Sequence, residues 1–201
     1  AQPSKVSTTT AFFPVDMFRL TDVQTSPLLA GASDNVGLNY QLSQILHGEQ
    51  AALQICGQLT NLCPTTDEKY YASSQVADEA RHMEAFARFL GEKMGTIYPI
   101  SPMLKLLLDE LLSAEGYAKK ALGMQTLFEG VAMAVFGGIR RSMHNPLLVD
   151  LVRRVEVDES RHAAFGVLAM RRLLREFMKR RDVRYTTPAS CTLRISSRQK
   201  H

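Results

Sequence analysis

A set of glutamate and histidine residues occurs twice in this chain with its spacings preserved. In each set a glutamate is followed thirty residues later by the motif Glu-x-x-His. The sets are 80 residues apart and consist of Glu49, Glu79 and His82, and of Glu129, Glu159 and His162. A spacing of three residues places Glu and His on one face of an α-helix. The duplication therefore predicts a fold built from repeated helical units.

Each glutamate pair is centred on a predicted turn. Glu49 and Glu79 are equidistant from Pro64, and Glu129 and Glu159 are equidistant from residue 144, just before Asn145-Pro146. Residues equidistant from the turn of an antiparallel helix pair lie at one height, here roughly 22 Å from the turn at 1.5 Å rise per residue. Two such hairpins would place four carboxylates and two imidazoles around one volume.

The periodicity of the apolar residues predicts an all-α domain without strands. The predicted helices are approximately 36–62, 66–94, 102–113, 117–143 and 146–179. Their ends are indicated by a capping box at Thr65–Glu68, by cap-plus-proline pairs at Ser101-Pro102 and Asn145-Pro146, and by Gly95 and Gly116. We expect residues 1–35 to be an irregular N-terminal arm, 36–180 the helical domain and 181–201 a disordered basic tail.

Charge and composition narrow the class of protein. The chain has 45% apolar and 22% charged residues, which is typical of a globular domain. The net charge of +4 comes from the last 27 residues, which sum to +6, so the rest is weakly acidic and nucleic-acid binding is not expected. No apolar run predicts a membrane span. Three cysteines without metal-ligand spacing, Cys56, Cys63 and Cys191, favour free thiols in a reducing cytoplasm.

The duplicated glutamates and histidines predict a metal centre. Four buried carboxylates would each lose several kcal/mol of hydration unless cations compensated them. Two divalent ions supply that charge, and carboxylate oxygen with imidazole nitrogen suits iron or manganese. We therefore predict two iron ions, or one manganese and one iron, held by Glu49, Glu79, His82, Glu129, Glu159 and His162.

An aspartate and an arginine accompany each Glu-x-x-His motif. A ligating histidine usually donates its second ring N–H to a carboxylate. We expect Asp158 to bind His82 and Asp78 to bind His162 across the pair, with Arg81 and Arg161 pairing with these aspartates. Apolar and small residues near the ligands predict a dry substrate pocket; they are Ala52, Met83, Phe86, Phe128, Met133, Phe136, Phe165 and Gly166.

With these motifs, the chain resembles the ferritin-like di-metal carboxylate superfamily, a pattern of one Glu from each of two helices and Glu-x-x-His from the other two. Residues 128–130, 151–155 and 158–166 are similar to the ligand-binding oxidases related to the ribonucleotide reductase small subunit. The resemblance implies a four-helix bundle with an extra short helix. It also implies terminal ligands at Glu49 and Glu129, bridging ligands at Glu79 and Glu159, and often a homodimer.

The resemblance further implies a dioxygen-using oxidase or oxygenase with an electron donor and a hydrophobic or aromatic substrate. Phe86 stands where reductase small subunits carry a radical tyrosine, and Met133 where multicomponent monooxygenases carry a threonine. Ala52 and Met124 stand where related oxidases carry a tyrosine–valine crosslink. Aldehyde-deformylating enzymes share a sequence like Gly48-Glu49-Gln50 and are an alternative. A ferroxidase or iron-storage protein, and a bundle that merely retains old ligands, are others.

Overall fold

The computed structural model describes residues 32–185, with side chains from 36 to 179, and this part of the chain is helical without any strand. The helices are α1 (Ala32–Leu62), α2 (Thr66–Phe89), α3 (Pro102–Ser113), α4 (Tyr117–Ala121), α5 (Glu129–Ser142) and α6 (Pro146–Tyr185). A π-helical turn, Leu90–Met94, extends α2, and a π-helical segment, Leu122–Phe128, joins α4 to α5. The prediction of an all-α chain is confirmed.

The predicted capping residues act at the helix starts. Thr65 has extended backbone angles, and its hydroxyl accepts a hydrogen bond from Glu68 N at 3.3 Å. Ser101 Oγ accepts one from Leu104 N at 3.2 Å, with Pro102 in the first turn of α3. Asn145 Oδ1 accepts one from Leu148 N at 3.0 Å. Each side chain satisfies a backbone N–H that has no partner within its own helix.

Glycines and one lysine end or break the helices. Gly95, with φ 76°, closes the π turn after α2, and Gly116, with φ 80°, precedes α4. Both conformations are left-handed, which costs glycine least. Lys120 is buried and donates to the carbonyl oxygens of Leu111 and Leu112 at 3.0 and 2.8 Å. Its ammonium thereby satisfies carbonyls at the C-terminal end of α3.

Helix boundaries extend slightly beyond those predicted. Helix α1 begins at Ala32, inside the predicted arm, and α6 continues to Tyr185, into the predicted tail. The rest of the arm and tail, 1–31 and 186–201, lies outside the described residues, as does Cys191. Cys56 and Cys63 are buried and free.

Helix α1 packs along α2, and α5 packs along α6, which also contacts α2, α4 and the π-helical segment. Two apolar clusters form the core. One contains Leu42, Leu46, Phe86, Phe89, Phe136, Leu151 and Val155, and the other Ala52, Ile55, Cys56, Leu59, Ala72 and Met124. Along α1, Glu49 falls between the residues of these clusters, so a buried polar layer separates them.

The connection from α2 to α3 is fixed to α1 by hydrogen bonds. Ser43 Oγ accepts from Tyr98 N at 3.0 Å, and Gln44 Oε1 accepts from Ser101 N at 2.7 Å. His47 Nε2 lies 2.9 Å from Tyr98 O. These contacts hold the start of α3 beside α1, close to the polar layer.

In the described part of the chain one helical run, Tyr117–Ser142, is long and apolar enough to cross a membrane. Core helices of soluble proteins also meet these criteria. This run carries Glu129, whose side chain is buried in the polar layer.

Candidate metal centre

The six predicted ligands meet in the polar layer between the two apolar clusters. Helix α1 provides Glu49, α2 provides Glu79 and His82, α5 begins with Glu129, and α6 provides Glu159 and His162. All six side chains are buried, with residue exposures of 6% or less. Two groups of four donor atoms each lie within 4.8 Å of one another and share Glu79 and Glu159.

The first group surrounds the His82 ring. Its Nδ1 lies 3.1 Å from Glu159 Oε1, 3.3 Å from Glu79 Oε2 and 3.6 Å from Glu49 Oε2. One imidazole nitrogen therefore faces three carboxylates, a donor set that suits a divalent iron or manganese ion.

The second group repeats this arrangement around His162. Its Nδ1 lies 2.9 Å from Glu159 Oε2, 3.3 Å from Glu79 Oε1 and 3.7 Å from Glu129 Oε1. Glu79 and Glu159 thus direct one oxygen to each histidine, whereas Glu49 approaches only His82 and Glu129 only His162. The central pair has the geometry of bridging carboxylates and the outer pair that of terminal ones.

The cluster lacks a fixed positive charge. Among the described residues no lysine or arginine forms an ion pair with any of the four glutamates; their ion-pair partners are the two histidines. Two imidazolium ions cannot neutralise four carboxylates, and burying unpaired carboxylates costs several kcal/mol each. The donor set therefore fits added cations, and these buried Glu/His groups could hold a metal ion.

Protons take the place of cations in the metal-free cluster. Burial raises the pKa of Glu49 to about 8 and that of Glu129 well above its usual value. Burial lowers the pKa of His162, but hydrogen bonds to Asp78 and Glu159 outweigh it and raise the value to about 9. The pKa of His82 is raised for the same reason, by Asp158 and Glu159. Burial opposes ionisation of Glu159, but hydrogen bonds from both histidines hold its pKa below its usual value.

The two aspartates cross between the hairpins. His82 Nε2 lies 3.2 Å from Asp158 Oδ2, and His162 Nε2 lies 3.2 Å from Asp78 Oδ2. Donation of the Nε2 proton to these oxygens leaves each Nδ1 facing the glutamates, which is the orientation that a metal-binding imidazole requires.

Two arginines reinforce this crossing. Arg81 pairs with Asp78 and lies 3.6 Å from Asp158, and Arg161 lies 2.5 Å from Asp158 and 3.5 Å from Asp78. Burial raises the pKa of Asp78 and Asp158, but their histidine and arginine partners lower it to a net value below the usual one. Both aspartates therefore remain ionised acceptors.

We expect Asp158→Ala to weaken divalent-metal binding by about 10–100-fold, the usual cost of losing the carboxylate behind a metal-binding histidine. The His82 ring would no longer be held with Nδ1 toward the glutamates. Competition with a chelator of known affinity measures the change. Asp150→Ala is the matched control, because Asp150 lies on the same helix and pairs only with Arg153 and Arg154 at the surface. An equal loss in both variants would contradict the expectation.

The sequence analysis missed a buried glutamine in this cluster. Gln75 Nε2 donates to Glu129 Oε1 at 2.7 Å and to Glu79 Oε1 at 3.0 Å. Gln125 Nε2 in turn donates to Gln75 Oε1 at 2.7 Å. Gln75 lies four residues before Glu79, on the same face of α2, so helical spacing alone could have identified it.

A cavity of about 210 Å³ opens beside the four glutamates. Ala52, Phe128, Val135 and Phe136 contribute to its mostly apolar wall, and Gln41 and Gln44 are its polar residues besides the glutamates. The remaining lining residues are Ile45, Gly48, Leu104, Val131 and Ala132. The site therefore borders an apolar space that could receive an uncharged molecule.

Only some of the predicted pocket residues line this cavity. Ala52, Phe128 and Phe136 do, whereas Met83, Phe86, Met133, Phe165 and Gly166 are not among the lining residues. Phe86 is fully buried and stacks on Phe136 with ring centroids 5.9 Å apart. Phe165 stacks on Tyr71 at 4.1 Å. These aromatic rings pack against each other because they lie on helix faces that turn away from the cavity.

Gly166 serves close packing instead. A Cβ atom at this position would lie 2.2 Å from the carbonyl oxygen of Gln125 in the π-helical segment. Only a residue without a side chain permits α6 to approach that backbone so closely. The π-helical segment directly precedes Glu129, and such segments occur frequently at functional sites.

Comparison of the chain with protein-family models, with curated proteins and with solved structures finds no significant match in any of the three. The functional argument therefore depends on the geometry of the site itself.

Proposed function

We propose that the chain is a ferritin-like four-helix bundle with an extra short helix, and that it binds two iron ions, or one manganese and one iron. In this proposal it is an oxidoreductase that uses dioxygen to oxidise a small hydrophobic or aromatic molecule, with a separate electron donor. The observation that carries the proposal is the cluster of four buried glutamates and two histidines beside an apolar cavity.

The protein side chains contribute position and environment. Glu79 and Glu159, each with one oxygen toward each histidine, would hold two ions close together, and Glu49 and Glu129 would complete the two positions. Asp78 and Asp158 would fix the imidazole rings. When bound, such ions supply the electrons and the Lewis acidity that dioxygen reduction requires.

The cavity favours an organic substrate over iron as the molecule that is oxidised. Its wall is apolar apart from the glutamates and two glutamine side chains, so it offers few ligands along which a hydrated iron ion could pass. An apolar wall also suits a hydrocarbon-chain aldehyde, which keeps an aldehyde-deformylating reaction as the second candidate.

The proposal is tested by loading the purified protein anaerobically with ferrous ions and then adding air. We expect uptake of about two ions per chain, dioxygen consumption and a change in visible absorption. Apolar acids, aldehydes and aromatic amines would then be screened for products, and formate release from an aldehyde would identify the second candidate. Uptake of no metal would refute the proposal. Uptake with iron oxidation but with no organic product, and with iron retained as a mineral, would favour a ferroxidase.

We expect Ala52→Leu to reduce binding of an apolar substrate by about tenfold or more, because the added carbon atoms occupy space beside Glu49. Ala52 is 2% exposed and lines the cavity. Substrate titration of the metal-loaded protein measures the effect, and the metal content should not change. Ala134→Leu adds the same atoms on α5 at an exposed position outside the cavity lining. Equal binding by both variants would place the substrate elsewhere.

A further inference from the structure

The two halves of the metal cluster differ in what surrounds them. The shift of 80 residues that relates the ligands pairs Gln75 with Val155 and Gln125 with Ile45. Val155 belongs to an apolar core cluster and Ile45 lines the cavity. A repeated ligand set is thus supported by amides on one side and by aliphatic side chains at the matching sequence positions on the other.

Gln75 uses its whole amide within the cluster. Its two N–H groups are directed at Glu129 Oε1 and Glu79 Oε1, and its own oxygen accepts from Gln125. The direction of this chain of amides follows from chemistry, because only an N–H can face an ionised carboxylate. Gln125 Oε1, at the outer end, is buried without a hydrogen-bond partner in the described structure. That cost is accepted in the orientation that gives Gln75 its donor.

Both oxygens that Gln75 contacts belong to the position around His162. Glu129 Oε1 lies 3.7 Å and Glu79 Oε1 lies 3.3 Å from His162 Nδ1. Hydrogen bonds from a buried amide fix these carboxylates before any ion arrives, which reduces the ordering cost of binding. The amide chain therefore acts on one of the two positions.

Glu49 has no such support. Among the described side chains only His82 contacts its carboxylate, and one side of Glu49 borders the cavity. Its carboxylate can change orientation without breaking a hydrogen bond to an amide.

We propose that Gln75, held by Gln125, is a positioning residue that makes the two metal positions unequal. The Glu129/His162 position binds the first ion and holds it tightly. The Glu49/His82 position binds the second ion more weakly and is the adjustable position, facing the cavity. This inference rests on the proposed function, because it requires that both positions bind metal.

The test is an anaerobic titration of the full chain with Mn²⁺, in which electron paramagnetic resonance measures the free ion. We expect two binding steps whose affinities differ by about tenfold or more. Gln75→Leu should weaken the tighter step by about 10–100-fold and the weaker step by less than about threefold, so that the two steps converge. Gln125→Leu should have a smaller effect in the same direction. Ile45→Val is the matched control and should leave the tighter step unchanged.

Single-ligand variants assign the steps. In a Glu49→Gln background the tight step should remain and should still be weakened by Gln75→Leu. In a Glu129→Gln background only a weak step should remain, and Gln75→Leu should not change it. This selective response separates positioning from a general loss of structure, which would weaken both steps together. Circular dichroism checks folding, and Gln125→Leu, which removes no contact to a glutamate, carries the test if Gln75→Leu does not fold.

Equal weakening of both steps by Gln75→Leu would overturn the inference, as would a tight step that survives Glu129→Gln. In either case the metal centre itself would stand. A wild-type chain that binds no Mn²⁺ or Fe²⁺ would overturn the proposed function and this inference together.

Discussion

Saturating Mn²⁺ or anaerobic Fe²⁺ should raise the melting temperature of the wild-type chain by roughly 8–16 °C. At a free-ion concentration about 1,000 times the dissociation constant, binding stabilises the folded state by about 4 kcal/mol, and 1 kcal/mol shifts the melting temperature of a chain of this size by about 2–4 °C. The isosteric double substitution Glu79→Gln/Glu159→Gln removes the two residues shared by both donor groups. We expect it to abolish this increase together with the bound metal.

The readout is the metal-dependent increase and not the melting temperature itself, because replacing buried carboxylates also changes the metal-free protein. Metal content by mass spectrometry and thermal unfolding followed by circular dichroism measure the two effects on the same sample. Glu92→Gln/Glu176→Gln is the matched control, since these glutamates pair with Arg88 and Arg172 near the surface. A double-glutamine variant that keeps two ions and the full increase would refute the assignment of Glu79 and Glu159.

Metal binding at pH 7 should release more than two protons per chain. Glu49, with a pKa of about 8, and His162, with a pKa of about 9, are mostly protonated at pH 7 in the metal-free cluster, and the pKa values of Glu129 and His82 are also raised. Ligands must be deprotonated to bind metal. Acidification therefore favours the metal-free form, and the affinity should fall by about tenfold per pH unit for each proton released.

Calorimetric titration in buffers with different ionisation enthalpies measures the number of protons released. That number should fall as the pH rises through about 8, where Glu49 loses its proton without metal. Glu49→Gln should release fewer protons than the wild type at pH 7. Proton release close to zero, with an affinity that is flat between about pH 6 and 8, would show that the cluster is already ionised in the metal-free protein.

The sequence predicted the helices well because their ends are determined locally. Thr65, Ser101 and Asn145 each supply an oxygen to a backbone N–H within their own first turn, and no distant residue is needed for that contact. The convergence of the six ligands followed from spacing for a related reason: helical rise and a short turn fix which residues face each other across a hairpin. The crossing of Asp78 and Asp158 followed from the same geometry once the ligands were placed.

Tertiary packing determined what the sequence could not show. Phe86 and Phe165 are as close to ligands in sequence as Ala52 is, but their rings meet Phe136 and Tyr71 instead of the cavity. Which side of a helix borders a cavity depends on how its neighbours are rotated, and no local pattern specifies that rotation. The supporting role of Gln75 likewise depends on Gln125, which is fifty residues away on another helix.

The π-helical segment Leu122–Phe128 restricts how the length of this chain can change. A π turn contains about one residue more than an α turn, and each α-helical residue rotates the helix by about 100°. Loss of one residue between Ala121 and Glu129 would restore regular α-helix but would turn its two ends relative to each other. Either Glu129 would leave the ligand cluster or Lys120 would leave the carbonyl oxygens of α3. We therefore expect single-residue deletions in this segment to be tolerated far less well than substitutions at its exposed positions, such as Leu122 and Leu127.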